Sequence, residues 1–258
     1  MSGGKLQGKD RNPNANPKAP SHARIVAAGI VGNILEWYDF AVYGYFASVI
    51  GHLFFPSADP SISLIAAFGA FAAGFLVRPL GGLVFGRIGD LMGRKTALTL
   101  SVLAMAVPTV LIGLLPTYEL IGIAAPIAIV ILRIIQGLSV GGEYTTSLVF
   151  LAEHAPKGRR ALNASWGIWG ASAGILLGSG VGSIVTSVVD SADLLEWGWR
   201  IPFLLGGLVA LNGYLIRHAL HVEPPVIVTN KPVLDAFSKH GGAVLRVALL
   251  DIGVGVGF

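Results

Sequence analysis

Long apolar blocks alternate with short polar segments along this chain. A bilayer-crossing helix needs about 20 apolar residues, and six blocks of that kind fall at about 24–55, 62–84, 96–115, 123–151, 161–189 and 201–221. A seventh begins near Ala243 and reaches Phe258 without a charged or aromatic exit, so the chain is expected to stop inside a span. The pattern predicts an all-α membrane protein. Residues 1–22 read as a disordered tail, 23–221 as a six-helix transmembrane unit, 222–242 as a connecting loop and 243–258 as a truncated seventh helix. The tail holds Lys5, Lys9, Arg11 and Lys18 among Asn and Pro with no apolar core, which excludes a signal peptide. Pro79 and Pro108 are expected to kink the second and third spans. Gly170, Gly174, Gly178 and Gly182, spaced by four in the fifth, predict a seam where another helix backbone approaches closely.

Composition agrees with a bilayer as solvent. Of the 258 residues, 53% are hydrophobic and 12% charged, about half the charge of a soluble domain. The net charge of +4 does not point to nucleic acid, because the Lys and Arg residues are segregated by loop. The loops at 51–61, 116–122 and 190–199 have none, whereas Arg87, Arg94, Lys95, Lys157, Arg159 and Arg160 fill the two between them. The positive-inside bias therefore predicts a cytoplasmic N-terminus. Trp197-Gly198-Trp199-Arg200-Ile201-Pro202 marks the start of the sixth span with interfacial tryptophans and a first-turn proline. With no Cys there is no disulfide or thiol chemistry. The six His show no metal-ligand spacing, and no phosphate loop, zinc motif or Ser/His/Asp order is present. No metal, cofactor or enzymatic activity is expected.

The chemistry lies in charges inside spans. Glu36 and Asp39 share a face of the first helix with Tyr43. An ionised carboxylate at that depth costs at least about 2.5–3.5 kcal/mol and generally faces a watery cavity or an ion pathway. Glu36 and Asp39 are therefore the candidate proton-coupling residues. In the fourth span Arg133, Gln136 and Glu143 are placed to border one cavity with Tyr43 as a candidate solute site. A guanidinium suits two-point carboxylate recognition, and Arg133 is expected either to bind a solute carboxylate or to pair with Glu36. Arg78, nearer the cytoplasmic end, is expected to snorkel.

After the second span come Gly86, Asp90, Gly93, Arg94 and Lys95. Their spacing resembles the cytoplasmic gating-loop signature of the major facilitator superfamily, with Leu91 standing where a basic residue is common. Physically, the glycines allow a tight turn between antiparallel helices, Asp90 can cap a helix N-terminus and Arg94 can pair with it. Gly32-Asn33, Glu36 to Phe40, Arg133 to Tyr144 and Trp197 to Phe203 are similar to the metabolite:proton symporter family, which includes proline/betaine, α-ketoglutarate, citrate and shikimate transporters. Phe54-Phe55-Pro56, Ala58-Asp59-Pro60 and Arg217-His218-Ala219-Leu220 look most like its proline/betaine branch. The resemblance covers about Gly32 to Pro225. It implies the six-helix N-terminal half of a twelve-helix fold plus the start of helix seven, with a central cavity, alternating access and the second half absent.

By that resemblance the chain is a proton-coupled symporter of a small organic acid or zwitterionic osmolyte in a bacterial inner membrane, with solute, protons and lipid as partners. The fifth span lacks the proline of the drug antiporters, which favours symport. The alternative is a non-transporting membrane remnant or interaction module. A passive channel fits less well, since carboxylates and an Arg at different depths suit coupled carriage.

Overall fold

The computed structural model describes residues 21–218 together with 238, 241–243, 245 and 246. The tail at 1–20, and most of the expected 222–242 connection and of the seventh helix, lie outside the described residues. Ten α-helices follow one another in the described part. They are α1 His22–Tyr45, α2 Ala47–Phe54, α3 Pro60–Leu76, α4 Arg78–Met92, α5 Arg94–Leu114, α6 Tyr118–Ile121, α7 Ala124–Glu153, α8 Arg160–Val188, α9 Ser191–Asp193 and α10 Arg200–His218. A π-helical turn, Leu194–Gly198, joins α9 to α10. Five rods are long and apolar enough to cross a bilayer, α3 and α4 counting as one over Pro60–Met92. The segment Ser191–Gly198 with α10, bent by 46°, makes a sixth.

The six expected spans are present, with differences in the first two. The first is two helices, broken at Phe46. The second does not end near Val84. It breaks at Val77, where Pro79 sits in the first turn of α4, and then stays helical to Met92. Gly86 and Asp90 therefore lie on a helix, and the turn itself is Gly93, at φ +98° and ψ 148°. A side chain is excluded from that backbone region, so only glycine holds it without strain. Pro108 sits inside α5 without ending it. At the other end of the molecule Asp59 caps α3 by accepting from the Ser61 amide (2.8 Å), with Pro60 at the first helical position.

Small residues determine which helices touch. The expected ladder on α8 lies along α1. A Cβ on Gly174 would come within 2.4–3.0 Å of the Ile34 carbonyl and the Tyr38 amide, and one on Gly178 within 2.7 Å of the Tyr38 carbonyl. A second seam, unanticipated, joins α7 to the α3–α4 rod. Gly74 faces Gly137, Gly81 faces the Leu138 carbonyl and Gly141 faces the Arg78 carbonyl, each too close to admit a Cβ. With α5 also packed on α7, the central helix is gripped from two sides. Tyr38, Tyr43, Phe46, Phe54, Trp199 and Phe203 fill the core near the α2 end. Large apolar side chains elsewhere face outward, Leu76, Leu176 and Val188 being 74–80% exposed. That distribution suits lipid or a neighbouring helical unit rather than water.

Candidate functional site

Apolar helices with a few buried charges must satisfy those charges from within. The structure does so in three tiers where α1, α5 and α7 meet. In the first, Asp39 is fully buried and accepts three hydrogen bonds. Arg133 Nη1 donates to Oδ2, and Thr109 Oγ1 (2.9 Å) and Gln136 Nε2 (3.0 Å) donate to Oδ1. The Arg133 guanidinium lies 3.8 Å over the Tyr43 ring, a cation–π contact. Its remaining edge, Nε and Nη2, makes no hydrogen bond among the described residues, and neither does Gln136 Oε1. Both residues line a cleft walled by Phe40, Phe71 and Phe75, with the backbones of Gly74 and Gly137 as floor and Arg78 at one side.

The second tier is one turn away on α1. Glu36 is 3% exposed, with Oε1 at 3.7 Å from Arg78 Nη2, an ion pair too long for a hydrogen bond. Glu36 Oε2 has no hydrogen-bond partner among the described residues. The Arg78 guanidinium lies 3.7 Å over Phe75 and 4.8 Å from the Phe40 ring centre. The expectation that Arg78 snorkels is corrected. The aromatic rings and Glu36 hold it inward, with its side chain 26% exposed. The expected pairing of Arg133 with Glu36 is likewise replaced by pairing with Asp39, which lies beside Arg133 in the first tier.

The third tier is Glu143 with Arg217. Both Arg217 Nη atoms donate to the Glu143 carboxylate, as does Ser101 Oγ. Arg217 also donates from Nε to the Ala28 carbonyl (2.9 Å) and from Nη1 to the Leu98 carbonyl, so one guanidinium joins α1, α5, α7 and α10. Gly32 lets the pair approach the α1 backbone, since a Cβ there would collide with both side chains.

Of the expected solute-site residues, Arg133 and Gln136 line the cleft and two do not. Tyr43 is fully buried, its ring beneath Arg133 and its hydroxyl donating to the Ala67 carbonyl (2.9 Å), so it positions Arg133. Glu143 is two helical turns from Gln136, and those turns carry it into the Arg217 pair. In the gating motif, Asp90 occupies the last turn of α4, and Lys95 Nζ donates to the His218 carbonyl (3.1 Å), tying the start of α5 to the end of α10. The Arg94 side chain, and with it the expected Asp90–Arg94 pairing, lies outside the described residues. The sequence reading missed Thr109, Ser101 and Arg217 as partners of buried charge. The signal for the first two was present: Ser101 and Thr109 are eight apart on one face of an otherwise apolar helix.

Comparison with known proteins adds the following. The family of sugar (and other) transporters matches residues 25–223. The proline/betaine transporter of Escherichia coli K12 is 45% identical over 218 residues, covering 84% of this chain and 43% of that protein. The shikimate transporter of the same organism is 37% identical over 251 residues, covering 93% of this chain and 57% of that protein. Its alpha-ketoglutarate permease is 44% identical over 189 residues, covering 73% and 44%. The chain thus spans about half the length of the curated relatives it matches. Among solved structures, the inward-open xylose transporter XylE from E. coli has a TM-score of 0.70 at 20% identity, covering 92% of this chain and 57% of that one.

Proposed function

Since the chain belongs to the sugar (and other) transporter family, within the major facilitator superfamily, and is a multi-pass membrane protein, we propose that the whole protein carries a small carboxylate-bearing solute across the cell membrane together with protons. The solute is an organic acid or a zwitterionic osmolyte of the kind named in the relatives' descriptions, namely proline, betaine, shikimate or α-ketoglutarate. The observation that carries this reading is the state of Arg133. Asp39 holds it through Nη1, its buried Nε and Nη2 have no hydrogen-bond partner among the described residues, and the residue lines the cleft. The Nε–Nη2 edge is the one a carboxylate engages with two parallel hydrogen bonds. The aromatic wall of Phe40, Phe71 and Phe75 suits the apolar body of the solute, or the quaternary ammonium of a betaine.

Charge balance supplies the coupling. Arg78 and Arg133 offset Glu36 and Asp39. A solute carboxylate on Arg133 makes Asp39 share its cation, and uncompensated buried charge is costly. A proton on Asp39, or on the spare oxygen of Glu36, restores the balance, and by linkage the solute must favour proton binding as the proton favours solute. The Lys and Arg loop bias supports a cytoplasmic N-terminus. An impermeant thiol reagent added outside is expected to leave a cysteine placed at Lys157 unlabelled.

The test is transport by the full-length protein in proteoliposomes. Glu36→Gln and Asp39→Asn are expected to lose accumulation driven by a pH gradient, by on the order of a hundredfold, with the loss much larger than any loss of solute-for-solute exchange. Accumulation against the solute gradient with normal pH dependence in both variants would refute the coupling.

A further inference from the structure

Glu143 lies outside the solute cleft, and the reading above gives it no task. A buried carboxylate that far from the cleft needs a reason to be there. The structure places it on a narrow internal cavity that Glu36, Ser101, Ser139 and Gly32 also line, with Val102, Met105 and Val140 as apolar wall. One hydroxyl in this cavity is directed at Glu143 and the other at a backbone carbonyl. Ser139 Oγ donates to the Ser101 carbonyl, and Ser101 Oγ donates to Glu143 Oε2. Glu36 Oε2 is the polar atom there with no hydrogen-bond partner among the described residues, in a residue only 3% exposed.

We propose that Glu143, reached through the Ser101 and Ser139 hydroxyls, is a second proton station through which a proton held on Glu36 leaves toward the Lys95 end of the helices. The inference rests on the reading of Glu36 as a proton carrier and adds its route of release. The transfer conserves atoms and charge. The O–H bond at Glu36 Oε2 breaks, a serine hydroxyl accepts that proton while giving up its own, and a new O–H bond forms on Glu143. Glu36 becomes the carboxylate facing Arg78, and Arg217 keeps its charge. The bonds from Arg217 to the Ala28 and Leu98 carbonyls hold it in place while its carboxylate partner is neutral. When the proton moves on to water, Arg217 recaptures Glu143, which resets the station and discourages return. The charged groups facing Glu36 are Arg78 from α4, Glu143 from α7 and, behind it, Arg217 from α10, with Asp39 one turn along α1. The other two neighbouring helices, α5 and α8, carry charged residues only in their first turns, Arg94 and Lys95 in one and Arg160 in the other.

The experiment compares pH-gradient-driven net uptake with solute counterflow in the full-length protein in proteoliposomes, using labelled betaine, proline and α-ketoglutarate as probes. Counterflow needs no net proton release, so a relay defect lowers the ratio of net uptake to counterflow. The double variant Glu143→Gln with Arg217→Gln removes both charges together and leaves no unpaired ion. It is expected to lower the ratio by about tenfold or more. Ser139→Ala, which keeps the ion pair, is expected to lower it by on the order of threefold, with an enlarged solvent deuterium effect on net uptake. An unchanged ratio in both variants would overturn the relay. So would a parallel fall in both activities, which marks a purely structural pair. Glu36→Gln separates the two levels. If it keeps pH-driven accumulation, the relay falls, and the coupling reading falls with it when Asp39→Asn keeps accumulation too. If it loses accumulation while the double variant keeps the wild-type ratio, the relay alone is wrong.

Discussion

In Arg133 a single side chain joins the packing of a buried charge to the proposed recognition of solute. Asp39 and the Tyr43 ring hold it in place, and the residue lines the cleft. Lysine keeps the charge, but as a point donor it has no second parallel N–H. Arg133→Lys is therefore expected to weaken binding of a carboxylate solute by about ten- to a hundredfold, the loss of one charge-assisted hydrogen bond of a bidentate pair. Arg133→Ala is expected also to unfold more readily, because it leaves Asp39 buried without its cation. Titration calorimetry on the full-length protein and a thermal melt of each variant check both statements. The buried charges themselves were legible in the sequence, because carboxylates and arginines stand out in apolar spans. Their pairing was not. Asp39 and Glu36 are three residues apart on one helix, and only the rotation and depth of α4 and α7 decide that Arg133 meets the first and Arg78 the second.

At the scale of elements, glycine decides which helices approach. The α8 ladder was readable because four glycines at a spacing of four make one stripe. The seam between α7 and the α3–α4 rod was harder to read, since Gly137 and Gly141 of α7 repeat that spacing only once and their partners Gly74 and Gly81 lie on two other helices. Its function is to bring the α7 backbone against the rod, so that Arg133 and Arg78 border the same cleft. Gly141→Ala is expected to destabilise the protein by about 1–3 kcal/mol, since the new methyl meets the Arg78 carbonyl rather than a yielding side chain. Gly93→Ala is expected to cost a similar amount for a different reason, the excluded backbone at φ +98°. Gly86→Ala, with open space around it, is expected to stay within about 0.5 kcal/mol of wild type. Thermal melts in detergent rank the three, and equal melting temperatures would contradict the seam. The helical ends of the spans were harder to place from sequence than the spans themselves. The charged residues of 87–95 resemble a loop by composition, yet Arg87 and Asp90 continue α4 because nothing breaks it before Gly93.

Across the whole molecule, the three tiers form a column of charge from the cleft at Arg133 to the Lys95 end of α5. Each acid has a cation drawn from another helix: Asp39 with Arg133, Glu36 with Arg78, Glu143 with Arg217. On the proposed function, a rearrangement of the helices that opens the cleft to one side re-pairs some of these ions and so links solute, proton and helix position through shared charges. The central claim is that a solute carboxylate and a proton are bound together at the Asp39–Arg133–Glu36 cluster. The most direct test is the number of protons taken up when the purified full-length protein, in weakly buffered solution with a pH-indicating dye, is saturated with betaine or α-ketoglutarate. The wild type is expected to take up about one proton per solute carboxylate bound near the pH where coupling is strongest, as reciprocal linkage requires, and Glu36→Gln with Asp39→Asn to take up none while still binding. Saturable solute binding by the wild type with no proton uptake across the working pH range, or the same uptake in the double variant, would contradict the account.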